Sequence, residues 1–215
     1  MGGVMIKKEV LIEETRSFLK RPLLFEHSLA VAQMAEQLAD DCLNQRLNIR
    51  HNSKEANKKF TDGSVSKSQA FVGGLLHDIG GVYPSYQRIS QAEKWGLKLL
   101  PQEKEFPLII HQKLSKYLAR EYFEVNDEQV LAAIECHTTL RKNFSDLDLI
   151  IFLADKIRWD GGDDAPFKEG LLTELSVSLE SAALYYIDFI LAEGLKVAHP
   201  WLIEARKDLR RHLRS

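Results

Sequence analysis

Apolar residues recur along this chain at three- and four-residue spacing almost without a break, and no stretch alternates convincingly with a period of two. That periodicity is the tightest constraint on the fold. Side chains three or four apart share one face of a helix, so each segment carries an apolar stripe that only another helix can cover. The expectation is an all-α fold. At 215 residues the chain is long enough to bury a full core, and one domain spanning 1–215 is expected, with a polar insertion at about 44–68.

The spacing predicts helices over Ile6–Lys20 and over Leu23–Leu43, the second with His27, Val31, Met34, Ala35 and Leu38 on its inner face. Asn44 to Ser68, rich in Asn, Lys and Ser and holding Asp62-Gly63, reads as a long polar connection. A helix is expected over Ser68–His77, weakened by Gly73 and Gly74 unless close packing demands them, and ended by Gly80 and Gly81. Further helices are expected over Gln91–Leu100, broken by Pro101, and from Leu108 through Tyr122. Asn126, with Gln129 three residues on, has capping-box spacing and opens a helix with Val130, Ala133, Ile134 and His137 inward. Ser145 with Asp148 repeats that signal before the run Leu149–Asp155. After a Gly/Asp-rich turn at 160–164, Gly170–Glu193 reads as one long helix, and Pro200–Leu213 as the last.

Charge narrows the partners. A net charge of −2 gives no support for nucleic acid or an anionic membrane, and the basic residues from Arg206 to Arg214 read as a solvated helix face. No apolar run approaches the roughly 20 residues that span a bilayer. The first residues lack a signal-peptide core and have no Ser or Thr at position 6 for myristoylation, so a cytoplasmic location is expected. Two cysteines, Cys42 and Cys136, are too few for a disulfide framework, and Cys136 reads as a small buried hydrophobe. The sequence leaves oligomeric state open.

Chemistry concentrates in six side chains. His77 and Asp78 end the run Phe71-Val72-Gly73-Gly74-Leu75-Leu76, and His27, His111, His137 and Asp155 each lie in an apolar helical segment in phase with core positions. Imidazole nitrogens and carboxylate oxygens are the ligand set of a hard or borderline divalent metal. Asp155 follows six apolar residues, where an ionised carboxylate is costly without a partner. A shared cation would satisfy these inward-facing polar groups together. For His51, His199 and His212 taken singly, a hydrogen-bonded structural role is the simpler reading.

The order His27, His77-Asp78, His111, His137, Asp155 resembles the metal-dependent phosphohydrolase superfamily named for its His-Asp pair. Within that superfamily the chain most resembles the YqeK family of symmetrical bis(5′-nucleosyl)-tetraphosphatases, which split diadenosine tetraphosphate into two ADP. The similar stretches are Glu26-His27-Ser28-Leu29, Gly74–Ile79, His137-Thr138-Thr139, Ile150–Ile157 and a C-terminal segment from Ile187 through His199-Pro200 to Arg206. The resemblance implies an HD-domain helical bundle in which His27, His77, Asp78 and Asp155 hold iron or a similar divalent metal. It implies catalytic roles for Asp78, His111 and His137. It also implies phosphate contacts, or a share in a second metal, for His111, His137 and Thr138. The segment Leu195, Lys196, Val197, Ala198, His199 and Pro200 would line the nucleotide base. Leu24, Gly81, Leu140 and Gly161 depart from the family's pattern, three of them at cationic phosphate contacts, with Arg21, Arg141 and Arg158 standing near as substitutes. The expected reaction is hydrolysis of a phosphoanhydride by metal-activated water. Other readings left open are a phosphohydrolase for another nucleotide or small phosphate ester, an iron-dependent oxygenase, and a metal- or nucleotide-binding sensor with little turnover.

Overall fold

The computed structural model describes residues 8–52, 65–159 and 165–214, with residues 44–52 described as backbone only. The fold is all-α, with no strand among the described residues. The helices are α1 (Lys8–Leu19), α2 (Pro22–Asn52), α3 (Lys67–Leu76), α4 (Ser85–Lys94), α5 (Pro101–Glu105), α6 (His111–Glu121), α7 (Glu128–Cys136), α8 (Asp146–Ile157), α9 (Lys168–Leu175), α10 (Leu179–Ala192) and α11 (Pro200–His212). Short 3-10 turns at Ile79–Val82 and Pro107–Ile110 lead into α4 and α6. None of the described helices is long and apolar enough to cross a membrane.

The bundle is arranged around α8. Ser145 caps it: Ser145 Oγ accepts from Asp148 N at 3.2 Å, and Ser145 N donates to the Asp148 carboxylate at 2.9 Å. Leu149 through Ala154 are then wholly buried, with no polar face, because α2, α3, α7 and α10 surround the helix.

Several boundaries differ from those the sequence suggests, each for a local reason. Helix α2 runs past Leu43 to Asn52: the residues from Asn44 are mostly polar but include no Gly or Pro, so nothing stops the backbone ladder. Asp62-Gly63, the 160–164 turn and Gly161 lie outside the described residues. Helix α3 starts at Lys67 behind a capping box between Ser66 and Gln69. Helix α4 occupies Ser85–Lys94 rather than Gln91–Leu100, and stops at Gly96, whose φ of 69° is the left-handed conformation that ends helices. Pro101 therefore opens α5 instead of breaking a helix. Asp127, not Asn126, caps α7 through Gln129 N at 2.9 Å, while the Asn126 amide donates to the Glu124 carbonyl. The single helix expected over Gly170–Glu193 is two, because Ser178 Oγ captures Ser181 N at 3.0 Å and starts α10 afresh. The two stripes are also out of phase, with Leu171 buried and Leu172 43% exposed.

Two close approaches set up the site. A Cβ on Gly74 would lie 2.7 Å from the Cα of Ala32, so α2 and α3 pack backbone to backbone. That contact brings His27 of α2 to 5.2 Å, centroid to centroid, from His77 at the end of α3. A Cβ on Gly80 would fall on the His111 carbonyl oxygen and 2.8 Å from Ser115 N, so the first 3-10 turn presses directly on the start of α6. Both glycines are placed for contact rather than flexibility.

Gly74→Ala should therefore destabilise the protein by about 2–3 kcal/mol in urea unfolding, since backbone must move. Gly73→Ala meets only the flexible tip of Ile151 at 3.1 Å and gains about 1 kcal/mol of helix propensity, so it should stay within about 1 kcal/mol of the parent. Equal tolerance of the two substitutions would contradict this packing.

Candidate metal centre

Three of the histidines are held in one way. Nδ1 of His77 lies 2.7 Å from the Gly74 carbonyl, Nδ1 of His111 lies 2.5 Å from Leu108 O, and Nδ1 of His137 lies 2.9 Å from Ile134 O. Each partner is the carbonyl three residues back. A carbonyl can only accept, so each Nδ1 carries the proton and each Nε2 offers a lone pair.

Those Nε2 atoms converge with two carboxylates. His27 Nε2 and His77 Nε2 lie 3.3 and 3.6 Å from Asp155 Oδ1. His111 Nε2 lies 3.3 Å from Asp78 Oδ1 and 2.9 Å from His137 Nε2. The six side chains thus form two groups, His27–His77–Asp155 and Asp78–His111–His137, each with its candidate ligand atoms within 4.8 Å of one another. The rings run in a chain, with His77 and His137 centroids 4.8 Å apart and His137 and His111 4.9 Å apart.

The donor set fits a divalent metal. Ligands at 2.0–2.2 Å from one ion stand about 3–3.5 Å apart at tetrahedral or octahedral angles, close to the 2.9 Å between His111 and His137 Nε2 and the 3.3–3.6 Å from the imidazoles to Asp155 and Asp78. Moreover, the lone pairs of His111 and His137 face each other across 2.9 Å. Two acceptors that close repel unless a cation or proton lies between them.

Electrostatics favours the neutral rings that metal ligation needs. Burial holds His137 well below the ordinary imidazole range, helped by His77 and His111, and burial also lowers His111 against the pull of Asp78. Asp155 stays ionised. Burial pushes its carboxyl up, but Lys156, His27 and His77 together hold it well below the usual range. The Lys156 ammonium pairs with Asp155 Oδ2, donates to the His137 carbonyl at 3.3 Å, and is buried. So the carboxylate that looked partnerless in the sequence has a cation one residue away, and its Oδ1 stands beside the Nε2 atoms of His27 and His77. The neighbouring Cys136 is fully buried, and burial raises its thiol pKa well above the ordinary value, as expected of a packing residue.

Both groups open into one cavity of about 640 Å³. Thr138 lines it, with Oγ1 3.2 Å from His111 Nε2. Leu195, Lys196, Val197 and His199 line it as well, while Ala198 and Pro200 of that segment do not. Phe106, Trp159, Tyr186 and Ile190 make much of the apolar wall; periodicity puts Tyr186 and Ile190 on an apolar helix stripe, and no sequence signal marks Phe106 or Trp159. Of the substitute cations, Arg21 donates to the Gly81 carbonyl at 3.2 Å, whereas Arg141 is engaged by the buried Asp148 at 2.8 Å.

Comparison with known proteins decides the family. The HD domain model matches residues 24–160, the stretch that holds all six side chains. The chain belongs to the HD domain family. A Lactococcus lactis subsp. cremoris protein, called an uncharacterized protein in the pepC 5′ region, is 70% identical over 162 residues, covering 72% of this chain and 83% of that one. A symmetrical bis(5′-nucleosyl)-tetraphosphatase of Staphylococcus aureus is 30% identical over 152 residues, covering 68% of this chain and 66% of that protein. The crystal structure of a predicted HD superfamily hydrolase involved in NAD metabolism, from Clostridium acetobutylicum, superposes with a TM-score of 0.74 at 26% identity, covering 97% of this chain and 99% of that one.

The buried neutral rings of this HD domain predict a pH dependence. As pH falls through about 6.5 the unfolded chain protonates His111 and His137 while the folded one does not, so stability drops until the depressed folded pKa values are reached. The melting midpoint of metal-stripped protein should fall between pH 7.5 and 5, and fall less in His137→Asn. The Asp155 contribution is lost only at still lower pH. A flat midpoint across that range would contradict neutral burial.

Proposed function

We propose that this HD-domain protein is a metal-dependent phosphohydrolase that cleaves diadenosine tetraphosphate symmetrically into two ADP. The observation that carries the reading is the meeting, in one cavity, of two imidazole–carboxylate groups with an apolar, partly aromatic wall. Metal ligands suit a phosphate chain, and a wall of Phe106, Trp159 and Ile190 suits a flat base. The Staphylococcus aureus tetraphosphatase supports the same substrate class.

In this reading His27, His77 and Asp155 hold one divalent cation, and Asp78, His111 and His137 hold a second, iron being one metal suited to mixed imidazole and carboxylate ligands. When bound, such cations supply Lewis acidity, lowering the pKa of water at the site towards 7 and offsetting phosphoryl charge. The protein's own groups do the rest. The Nδ1–H bonds to backbone keep the rings neutral and aimed. The Lys156 ammonium, fixed between Asp155 and the His137 carbonyl, adds positive charge beside the phosphates. Thr138 Oγ1 is available to donate to a phosphoryl oxygen, and Lys196 stands at the wall to meet another. Leu195, Val197 and His199 cover the base and exclude water. Water adds to one inner phosphorus, the central bridging P–O bond breaks, and the departing oxygen takes a proton, giving two ADP. Substrate is a small nucleotide, with neither nucleic acid nor membrane as partner, in keeping with a cytoplasmic enzyme.

Incubation with diadenosine tetraphosphate and a divalent metal, followed by chromatography, should yield ADP alone. His77→Ala and Asp155→Ala should abolish turnover and bound metal while leaving helical circular dichroism largely intact. Formation of ATP with AMP, no reaction, or full turnover in either variant would refute the assignment.

A further inference from the structure

A second polar cluster stands behind the cavity wall. Glu103 of α5 is fully buried, and its Oε2 accepts from Leu100 N at 2.7 Å and from the Lys113 ammonium at 2.8 Å. Lys113, on α6 two residues after His111, also donates to the Lys98 carbonyl at 2.8 Å. His199 caps α11: its Nδ1 accepts the Trp201 N–H at 3.2 Å, which puts the ring proton on Nε2. That Nε2 faces Glu103 Oε1 at 3.5 Å, and both atoms are buried with no hydrogen-bond partner among the described residues.

Both ring nitrogens of His199 are therefore turned into the protein. The residue lines the cavity with its carbon edge, and its polar chemistry is spent on holding its own position. Stability alone does not call for this arrangement, because well-packed apolar residues serve as well as a buried ion pair. A carboxylate placed between an ammonium and an imidazole adds direction: its two oxygens point to two different elements. Burial pushes the Glu103 carboxyl up, but His199, Lys113 and the Leu100 N–H outweigh it and keep the group ionised.

We propose that Glu103 is a positioning residue of the substrate pocket, fixing the Leu195–His199 wall through His199 and tying it through Lys113 to the helix that presents His111. The inference rests on reading the cavity as the substrate site and adds the residue that sets the distance between its base wall and its metal side.

The test has two arms. In the intact protein, long-range proton–nitrogen NMR should show His199 as the Nε2–H tautomer. Glu103→Gln should shift the Leu195 and Val197 methyl signals. An Nδ1–H tautomer, or methyl signals that stay in place, would overturn the proposal. In the activity arm, Glu103→Gln should raise KM for diadenosine tetraphosphate about tenfold, the loss of one charge-assisted contact, with kcat within about threefold of the parent. The double variant Glu103→Leu, Lys113→Met removes both charges, keeps the core filled and guards against misfolding. It should show the same rise in KM, and a normal KM in that variant would mean that Glu103 serves packing alone. If the parent leaves the dinucleotide intact, the proposed function fails, and the NMR arm still decides this inference.

Discussion

The bond from the Nδ1–H of His77, His111 and His137 to the carbonyl three residues earlier is the interaction on which the rest of the site depends. It is made at Gly74, Leu108 and Ile134, at the end or start of a helix, where carbonyls are free of the regular ladder or shared with it. It fixes the tautomer, aims Nε2 inward, and lets the ring be buried without charge. Burial alone would leave imidazoles searching for partners; with Nδ1 satisfied in these three rings, Nε2 keeps a lone pair that a cation can use. Backbone contacts then decide which lone pairs meet. The Gly74–Ala32 approach brings His77 to His27, and the Gly80–His111 approach brings Asp78 to His111.

Adjacent residues His77 and Asp78 serve different groups. His77 keeps helical dihedrals at the end of α3, while Asp78, with φ −114° and ψ 15°, leaves the helix. Their side chains diverge accordingly, His77 to Asp155 and Asp78 to His111. A motif read as a dipeptide thus sends its two side chains to two different imidazole–carboxylate groups. Lys156 next to Asp155 illustrates the converse, because neighbours in sequence pair through their ends and share one buried charge balance.

Much of this was legible beforehand, and the reasons are physical. Period and phase placed His27 and His137 inward, since a helix face propagates information over many residues. Ser145 with Asp148 marked the start of α8, because a capping box is local. What escaped was either a competing local signal or a pairing between distant elements. Asp127 outcompeted Asn126 for the same cap, Gly96 ended α4 through its backbone, and Ser178 started a new helix inside what reads in the sequence as one amphipathic segment. Glu103, Lys113 and His199 are 10 and 96 positions from first to second and first to last, taken from their residue numbers, and no periodicity connects them. The two glycines at 73 and 74 look alike in the sequence; only the neighbours, a side-chain tip for one and a backbone for the other, tell them apart.

The proposed chemistry requires the two cations. Elemental analysis of protein reconstituted with a divalent metal, combined with anomalous diffraction at that metal's absorption edge, tests it most directly. One anomalous peak is expected among His27, His77 and Asp155 and a second among Asp78, His111 and His137. Reconstituted protein that holds no metal, or holds it away from these six side chains, would contradict it.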